Sequence, residues 1–185
     1  MRIVGGKHKG RPLSAPKGKS TRPTSDRARE SVFNVLAHGI DGFNLADANM
    51  ADIFAGTGAL GLEALSRGGG FCTFIESDRD ATAILKQNIA ALGESKNTKV
   101  ITLPAQKAPP PPDGAVDIAF LDAPYAKDLS VSALEKLAST GWFKTGSVVV
   151  IEISKDEKIE LPAEFEIIKE KVSGPALHIF TRYMV

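Results

Sequence analysis

The chain has 185 residues, of which 43% are hydrophobic and 24% are charged. These values are typical of one soluble globular domain, or of one domain with a small appendage, and they exclude an intrinsically disordered chain and a coiled coil. No apolar run is long enough to cross a membrane, the first residues lack the apolar core of a signal peptide, and Cys72 has no second cysteine to pair with. We therefore expect a cytoplasmic monomer without a disulfide or a structural metal site.

Positive charge is concentrated at the start of the chain. Residues 1–30 contain nine lysines and arginines but only two acidic residues, a net charge of +7, whereas the rest of the chain carries a net charge of −6. A basic segment attached to a mildly acidic body is typical of proteins that bind a polyanion, although a solubilising tail would show the same pattern. We expect this segment to be too polar to contribute to a core.

The beginning of the chain predicts a hairpin, a loop and a helix. Residues 2–5 and 11–13 are short β-type segments that flank a turn, and the loop after them is rich in Ser, Thr, Pro, Gly and Lys. The helix is expected to begin after a cap at Thr24 or Ser25, to bury an apolar stripe and to end at Gly39.

Strands and helices alternate from residue 48 onwards. The predicted strands are 49–54, 71–76, 98–103, 116–121, 147–153, 164–172 and 176–183, and the predicted helices are 59–67, 79–92 and 129–139. Repeated βα units indicate an α/β fold with a parallel sheet covered on both faces. The turn Ser173-Gly174-Pro175 indicates that the last two strands form an antiparallel hairpin at the far edge of that sheet.

A glycine-rich loop is predicted where the first of these strands gives way to a helix. Gly56 and Gly58 permit positive φ angles and let a ligand approach the backbone, and the amides of the following helix then face that ligand. Glu76 ends the next strand, where a carboxylate can accept hydrogen bonds from both ribose hydroxyls of a nucleoside. The loop therefore predicts a nucleoside-containing ligand, with an unliganded strand–helix turn as the alternative.

The spacing Gly56-x-Gly58-x-x-Gly61 also matches the dinucleotide fingerprint, which makes a nicotinamide or flavin enzyme a second interpretation. Asp52, at the strand end, would repel a pyrophosphate but suits a cationic or zwitterionic ligand. The chain also has no second domain to bring a hydride acceptor. S-adenosylmethionine, which carries an ammonium and a sulfonium, fits these residues better.

A second motif, Asp122-Ala123-Pro124-Tyr125, follows a buried strand. Because the carboxyl ends of parallel strands line one crevice, we expect it to face the same site as the glycine loop. Pro124 favours an extended Ala123, so the Asp122 carboxylate and the Ala123 carbonyl can accept both protons of an exocyclic amine. Tyr125 offers a flat face for an aromatic ring. An ordinary turn at a strand end is the alternative.

Taken together, these motifs resemble those of the RsmD-type small-subunit rRNA methyltransferases. The resemblance covers nearly the whole chain. It rests on Arg2-Ile3-Val4-Gly5-Gly6, Gly10-Arg11, Arg22-Pro23-Thr24-x-Asp26-Arg27-x-Arg29-Glu30-x-x-Phe33-Asn34, Asp52-x-Phe54-Ala55-Gly56-Thr57-Gly58-x-Leu60-Gly61-x-Glu63-Ala64-x-Ser66-Arg67-Gly68, Glu76 and Asp122-x-Pro124-Tyr125.

The resemblance implies a Rossmann-like, seven-stranded S-adenosylmethionine-dependent methyltransferase fold. It implies a basic N-terminal extension over 1–40 and a catalytic domain over 41–185. The implied activity is methyl transfer to the exocyclic N2 of one guanine in 16S rRNA, that of a 16S rRNA (guanine(966)-N(2))-methyltransferase-like enzyme. The implied partner is small-subunit rRNA or a partly assembled 30S subunit.

The resemblance also implies three sets of site residues. The cofactor, S-adenosylmethionine, is expected to contact Asp52, Phe54, Ala55, Gly56, Thr57, Gly58, Glu76, Ala105 and Gln106. The catalytic residues are expected to be Asp122, Ala123, Pro124 and Tyr125. We predict that RNA phosphates contact Lys7, Lys9, Arg11, Lys17, Lys19 and Arg22, whereas Asp26, Arg27 and Arg29 tie the basic extension to the catalytic domain.

Two positions depart from the family pattern. The family usually has proline where this chain has Ala123, which leaves the carbonyl acceptor in place. Many relatives have an acidic residue near the adenine edge, where this chain reads Leu103-Pro104-Ala105-Gln106. We therefore expect the adenine ring to be bound by the Ala105 backbone or by Gln106.

Other functions remain as alternatives at this point. A DNA amino-methyltransferase uses the same tetrapeptide but normally has a larger recognition domain. A protein-glutamine methyltransferase usually begins that tetrapeptide with Asn. A non-enzymatic rRNA-binding assembly factor would require the glycine loop to be vestigial. We expect His8, His38 and His178 to be surface or structural residues, and Cys72, Trp142 and Phe143 to pack in the core.

Overall fold

A computed structural model describes residues 1–16, 25–123 and 127–185. The helices are α1 (Asp26–His38), α2 (Ala59–Ser66), α3 (Arg79–Leu92) and α4 (Lys127–Ser139). The strands are β1 (Asn49–Ile53), β2 (Phe71–Ile75), β3 (Thr98–Ile101), β4 (Val116–Asp122), β5 (Phe143–Ser154), β6 (Phe165–Ser173) and β7 (Ala176–Tyr183). These elements confirm the predicted α/β alternation. None of the described helices is long and apolar enough to cross a membrane.

All seven strands form one sheet in the order β3-β2-β1-β4-β5-β7-β6. The strands β1 to β5 are parallel, and β7 runs antiparallel to both β5 and β6. The predicted final hairpin is confirmed, with β6 at the edge and β7 inserted beside β5. The carboxyl ends of the parallel strands and the β6–β7 turn therefore lie at the same edge of the sheet.

Two apolar layers hold the sheet between helices. One layer contains Val32 and Phe33 of α1, Leu62 of α2 and Leu85 of α3, packed on sheet residues such as Phe120. The other layer lies beneath α4 and includes Leu134, Leu137, Trp142 and Phe143. The fully buried Trp142 places its indole N–H 2.9 Å from the carbonyl of Pro109. The expectation that Cys72, Trp142 and Phe143 belong to the core is confirmed.

Helix α1 begins and ends as the sequence predicts. The Ser25 hydroxyl accepts a hydrogen bond from the Ala28 amide at 3.2 Å, which is an N-terminal cap. The Gly39 amide donates to the Val35 carbonyl at 2.7 Å and closes the last turn. The loop over 14–25 lies largely outside the described residues.

The N-terminal segment 1–16 forms less β structure than predicted but packs more deeply. A single antiparallel bridge joins Arg2 to Pro12 around a short 3-10 turn at Gly6–His8. Ile3 and Leu13 are 1% and 5% exposed and join the same apolar cluster as the sheet. The expectation that this segment is too polar to contribute to a core is therefore wrong, because two apolar side chains suffice to anchor it.

A buried carboxylate fixes the first turn of this segment. Glu63 of α2 is fully buried and accepts hydrogen bonds from the amides of Val4 and Gly5 at 2.8 and 2.7 Å. Arg67, one helical turn later, donates to Glu63 at 2.8 Å and lies over the Phe33 ring, 4.9 Å from its centroid. The buried charge of Glu63 is thus stabilised by two backbone amides and one guanidinium group.

Candidate active site

The site lies where the strand order reverses. From β1 the chain builds outward through β2 and β3, and it then returns to place β4 on the other side of β1. Ile53 at the end of β1 is paired with Leu121 near the end of β4. Ligands of parallel α/β sheets bind in the crevice at such a reversal. The glycine loop and Asp122 therefore lie side by side, as the sequence predicts.

The glycine loop between β1 and α2 adopts a conformation that side chains rarely allow. Gly56 and Gly58 have φ angles of 55° and 82°, in the left-handed region. A Cβ atom at Gly58 would collide with Leu85 of α3, whereas one at Gly56 would meet no atom within 4 Å. Gly58 is thus required by packing, and Gly56 leaves an open cradle above the backbone. Phe54 also has a positive φ of 60°, so the loop holds a non-glycine residue in this region too.

Glu76 clamps this loop from the end of β2. One carboxylate oxygen accepts a hydrogen bond from the Gly56 amide at 2.7 Å, and the other accepts one from the Asp78 amide at 2.8 Å. Each carboxylate oxygen can accept a further hydrogen bond, so the side chain can hold the loop and a diol together. The predicted ribose contact of Glu76 stays a prediction.

Asp52 is less accessible than its predicted role assumes. Its side chain lies within β1, is 2% exposed and accepts a hydrogen bond from the Gly61 amide in the first turn of α2 at 2.8 Å. Burial, together with the nearby charges of Asp122 and Glu76, raises the pKa of Asp52 well above its usual range. The structure thus places Asp52 as an internal cap of α2, directly behind the glycine loop.

The predicted adenine edge follows β3. Ala105 is 2% exposed and begins a short 3-10 turn, Ala105–Lys107. The Gln106 side-chain amide donates to the Ser132 hydroxyl at 3.1 Å and to the Leu129 carbonyl at 3.4 Å, both on α4. Gln106 therefore ties this turn to α4, and its contact with adenine stays a prediction. Thr57, another predicted cofactor residue, presents its carbonyl to Asn88 at 3.0 Å.

Asp122 ends β4 beside two residues that the sequence did not single out as a group. It is half-buried and paired in register with Glu152 of β5, which is paired in turn with His178 of β7. The His178 Nε2 atom lies 3.0 Å from Glu152 Oε2. Burial and the Glu152 charge raise the pKa of Asp122 to about 7, against a lowering by His178. Ala123 is half-buried, and Pro124 and Tyr125 lie outside the described residues.

His178 is one of the histidines expected to be surface or structural residues. It is buried, at 2% exposed, on the interior strand β7. The signal in the sequence is a polar residue inside each of two apolar strands, Glu152 between Ile151 and Ile153, and His178 between Leu177 and Ile179. Only the β5–β7 pairing brings these two interruptions together.

Among the described residues, the predicted RNA contacts either have partners within the protein or are exposed. Lys7 forms an ion pair with Glu94 at 2.7 Å, and Arg11 donates to the Ala91 carbonyl at 2.8 Å. Lys9 is exposed. Lys17, Lys19 and Arg22 lie outside the described residues. Two of the predicted cations therefore also attach the N-terminal segment to the end of α3.

Several side chains join the N-terminal segment to the rest of the protein. Arg29 is fully buried and donates to the Arg2 carbonyl and to Asp26, each at 2.7 Å, and Asp26 also accepts from Arg2 at 3.0 Å. These contacts join Arg2 to α1, both within the predicted extension, so the predicted tie of Asp26, Arg27 and Arg29 to the catalytic domain stays a prediction, and Arg27 is exposed. Glu94, 2% exposed, binds both Lys7 and His8, and these partners with Asn97 lower its pKa to about 2 despite its burial.

Asn88 of α3 connects this segment to the glycine loop. Its Oδ1 atom accepts from the Ser14 amide at 2.8 Å. Its Nδ2 atom donates to the Ser14 carbonyl at 3.1 Å and to the Thr57 carbonyl at 3.0 Å. One buried amide group thus contacts both regions. In the described part of the chain, no cluster of three or more His, Cys, Asp or Glu side chains could hold a metal ion.

Comparison with known proteins agrees with this geometry. The family model described as "Conserved hypothetical protein 95" matches residues 1–182. "Ribosomal RNA small subunit methyltransferase D" of Escherichia coli K12 is 37% identical over 179 residues, which cover 94% of this chain and 85% of that protein. The protein of the same name from Haemophilus influenzae is 33% identical over 177 residues, covering 94% of this chain and 89% of that protein.

Solved structures show the same similarity. "Putative methyltransferase yhhF from Escherichia coli" superposes with a TM-score of 0.82 at 32% identity, covering 100% of this chain and 98% of that one. A "SAM dependent methyltransferase from Aquifex aeolicus" reaches 0.65 at 17% identity, with 84% and 89% coverage, and shares the fold. The chain therefore belongs to the family of the RsmD-type small-subunit rRNA methyltransferases.

Proposed function

We propose that this protein is an S-adenosylmethionine-dependent methyltransferase that modifies the exocyclic N2 of one guanine in small-subunit rRNA, with guanine 966 of 16S rRNA as the expected position. The observation that carries the proposal is the adjacency of the glycine loop and Asp122 at the reversal of strand order. The names of the relatives support rRNA as the substrate class.

The loop residues fit the cofactor. Gly56 leaves the backbone open, as a nucleoside pressed against it requires, and Glu76 lies against the same residue through the Gly56 amide. Helix α2 begins directly after this loop, and a helix N-terminus favours a carboxylate such as the methionine end of the cofactor. S-adenosylmethionine held by Gly56 and Glu76 would supply an electrophilic methyl group for transfer to the base.

Asp122 and Ala123 account for the chemistry on the base. A guanine amine is a weak nucleophile, because its lone pair is delocalised into the ring. Two acceptors that bind its hydrogens localise the lone pair and hold the nitrogen in line with the methyl group. As the N–C bond forms and the S–C bond breaks, one N2 proton passes to the Asp122 carboxylate. The raised pKa of Asp122 makes it a stronger proton acceptor than an ordinary aspartate.

The substrate surface is proposed to include the basic N-terminal segment. Lys9 is exposed beside Lys7 and Arg11, which are attached to α3 with their other atoms still near the surface. Together with Lys17, Lys19 and Arg22, they would neutralise phosphates and release counterions, so affinity should fall steeply with salt. The target base must leave its stack to reach Asp122, and Tyr125 is proposed to stack on it.

Transfer of a labelled methyl group from S-adenosylmethionine to small-subunit RNA or 30S particles, with mass mapping of the product, tests the proposal. Asp122→Asn should abolish transfer but leave cofactor affinity within about twofold. Asp113→Asn is the matched control, because Asp113 is an exposed aspartate in the loop before β4, at the opposite end of that strand. Methylation at an atom other than guanine N2, or full activity of Asp122→Asn, would contradict the proposed role.

Cofactor binding is tested separately by calorimetry. Glu76→Ala should weaken binding by roughly 1.5–3 kcal/mol, the value of hydrogen bonds to a charged group, and Glu76→Gln should lose less. Wild-type protein that binds RNA but shows no affinity for S-adenosylmethionine would favour the assembly-factor alternative. A salt series with the variant Lys7→Gln/Lys9→Gln/Lys17→Gln/Lys19→Gln tests the RNA surface, with cofactor binding as the control.

A further inference from the structure

Three polar residues form a row across the carboxyl edge of the sheet. Asp122 of β4 is paired with Glu152 of β5, and Glu152 is paired with His178 of β7. Directly paired residues project from the same face of a sheet. The residues two positions earlier on β4 and β5 and two positions later on β7, namely Phe120, Val150 and Phe180, all belong to the apolar layer beneath α1. The three side chains of the row therefore lie on the α1 face, beside one another.

Burial gives His178 an unusual environment for a structural residue. The side chain is 2% exposed, and its Nε2 atom lies 3.0 Å from Glu152 Oε2. Its Nδ1 atom is buried without a hydrogen-bond partner among the described residues. An imidazole that only filled space would be replaceable by an apolar ring that leaves no buried nitrogen unpaired. The contact that distinguishes this histidine from such a ring is its contact with Glu152.

Glu152 links this contact to the candidate proton acceptor. Its side chain is 18% exposed, and its charge, after burial, is the main cause that raises the pKa of Asp122 to about 7, while His178 acts in the opposite direction. The two effects come from neighbouring strands and are set by the fixed register of the sheet. The basicity of Asp122 is thus a property of the row as a whole.

Other charged groups among the described residues also lie near this edge. Asp52 of β1 and Glu76 of β2 are carboxylates bound to the loop amides of Gly61 and Gly56. Lys171 of β6 is paired with His178 and is exposed. On α1, Asp26 and Arg29 bind each other. When the strand pairing is followed outward from Asp122, its successive partners are Glu152 on β5, His178 on β7 and the exposed Lys171 on β6.

We propose that Glu152 and His178, paired in the row beside Asp122, are positioning residues that act on it in opposite directions: Glu152 favours and His178 opposes the uptake of the amine proton by the Asp122 carboxylate. The inference rests on the proposed function, in which one N2 proton leaves as the N–C bond forms and the sulfonium becomes a neutral thioether. A stronger base at the proton-accepting position favours that step.

Profiles of single-turnover methylation rate against pH, at saturating cofactor and RNA, test the inference. The wild-type rate should rise with a midpoint near pH 7. Glu152→Gln should move the midpoint to lower pH by about one unit, because Glu152 raises the pKa of Asp122. His178→Gln should move the midpoint to higher pH, because His178 lowers that pKa. A purely structural role cannot produce shifts of opposite sign.

Glu170→Gln is the matched control, because Glu170 is an exposed carboxylate on β6, adjacent in sequence to Lys171. Its midpoint should equal that of the wild type. Urea unfolding and cofactor affinity identify a variant that does not fold. If one variant does not fold, the direction in which the midpoint of the other variant moves decides whether the inference holds. Unmoved midpoints in folded Glu152→Gln and His178→Gln would overturn the inference. An active Asp122→Asn enzyme would instead overturn the proposed function.

Discussion

Glu94→Gln should weaken the attachment of the N-terminal segment to the body of the protein. Glu94 is 2% exposed and binds the Lys7 ammonium at 2.7 Å and the His8 ring at 2.6 Å, and Asn97 donates to its second oxygen at 2.8 Å. Glutamine keeps the size of the side chain and removes the charge that these donors stabilise. The change therefore isolates the charge without opening a cavity.

The size of the effect follows from the pKa of Glu94, which its partners lower from 4.5 to about 2. Each unit of pKa difference between the folded and unfolded chain corresponds to ~1.4 kcal/mol, so the ionised carboxylate contributes about 3 kcal/mol to the free energy of unfolding at pH 7. Because the folded pKa is lowered, this contribution is complete above pH 4.5 and is lost as the pH falls through about 2. At pH 3 roughly half of it should remain.

Urea denaturation at pH 7 and at pH 3 measures this dependence. At pH 7 the variant should unfold about 3 kcal/mol more easily and melt about 6–12 °C lower than the wild type. At pH 3 the difference should be about half as large. Glu135→Gln, at an exposed position of α4, is the control and should change the stability by less than about 0.5 kcal/mol at either pH. A Glu94→Gln variant as stable as the wild type, or a difference independent of pH, would refute the reasoning.

Two further substitutions test the attachment of the N-terminal segment. Gly6 and Gly10 have similar φ angles of 76° and 85°, but a Cβ at Gly6 would collide with the Ser66 carbonyl, whereas one at Gly10 meets open space. Gly6→Ala should therefore destabilise the protein by at least about 2 kcal/mol more than Gly10→Ala in thermal unfolding, and equal losses would contradict the packing described. Asn88→Ala should cost about 1–3 kcal/mol and weaken cofactor binding, because Ser14 and the Thr57 carbonyl lose their shared partner, and calorimetry that finds an unchanged affinity would refute the second effect.

The sequence predicts the central sheet well, because strand and helix periodicities are local. The helix stop at Gly39, the antiparallel last hairpin and the placement of Asp122 beside the glycine loop all follow from short patterns and the rule for parallel sheets. Strand β5 begins at Phe143, four residues earlier than predicted. The sequence does not predict this start, because Lys144, Thr145 and Gly146 lack the alternation of apolar and polar residues that is typical of a strand.

What the sequence could not predict depends on pairing between distant residues. The Glu152–His178 contact requires β7 to lie between β5 and β6, and no local signal specifies that insertion. Likewise, the burial of Ile3 and Leu13 depends on a surface built by α2 and α3, whose acceptors for the segment include Glu63 and Asn88. The basic composition of the segment gives no indication that Ile3 and Leu13 are buried, because their burial depends on this surface.

Asn88 couples the N-terminal segment to the glycine loop. Its amide group bonds Ser14 and Thr57 at the same time, so order in the N-terminal segment and order in the glycine loop stabilise each other. Thermodynamic linkage then sets a quantitative constraint: if an RNA that binds the ordered segment tightens the binding of the nucleoside ligand by some factor, that ligand must tighten RNA binding by the same factor. Measuring one affinity with and without the other ligand gives the coupling, and Asn88→Ala should reduce it toward unity.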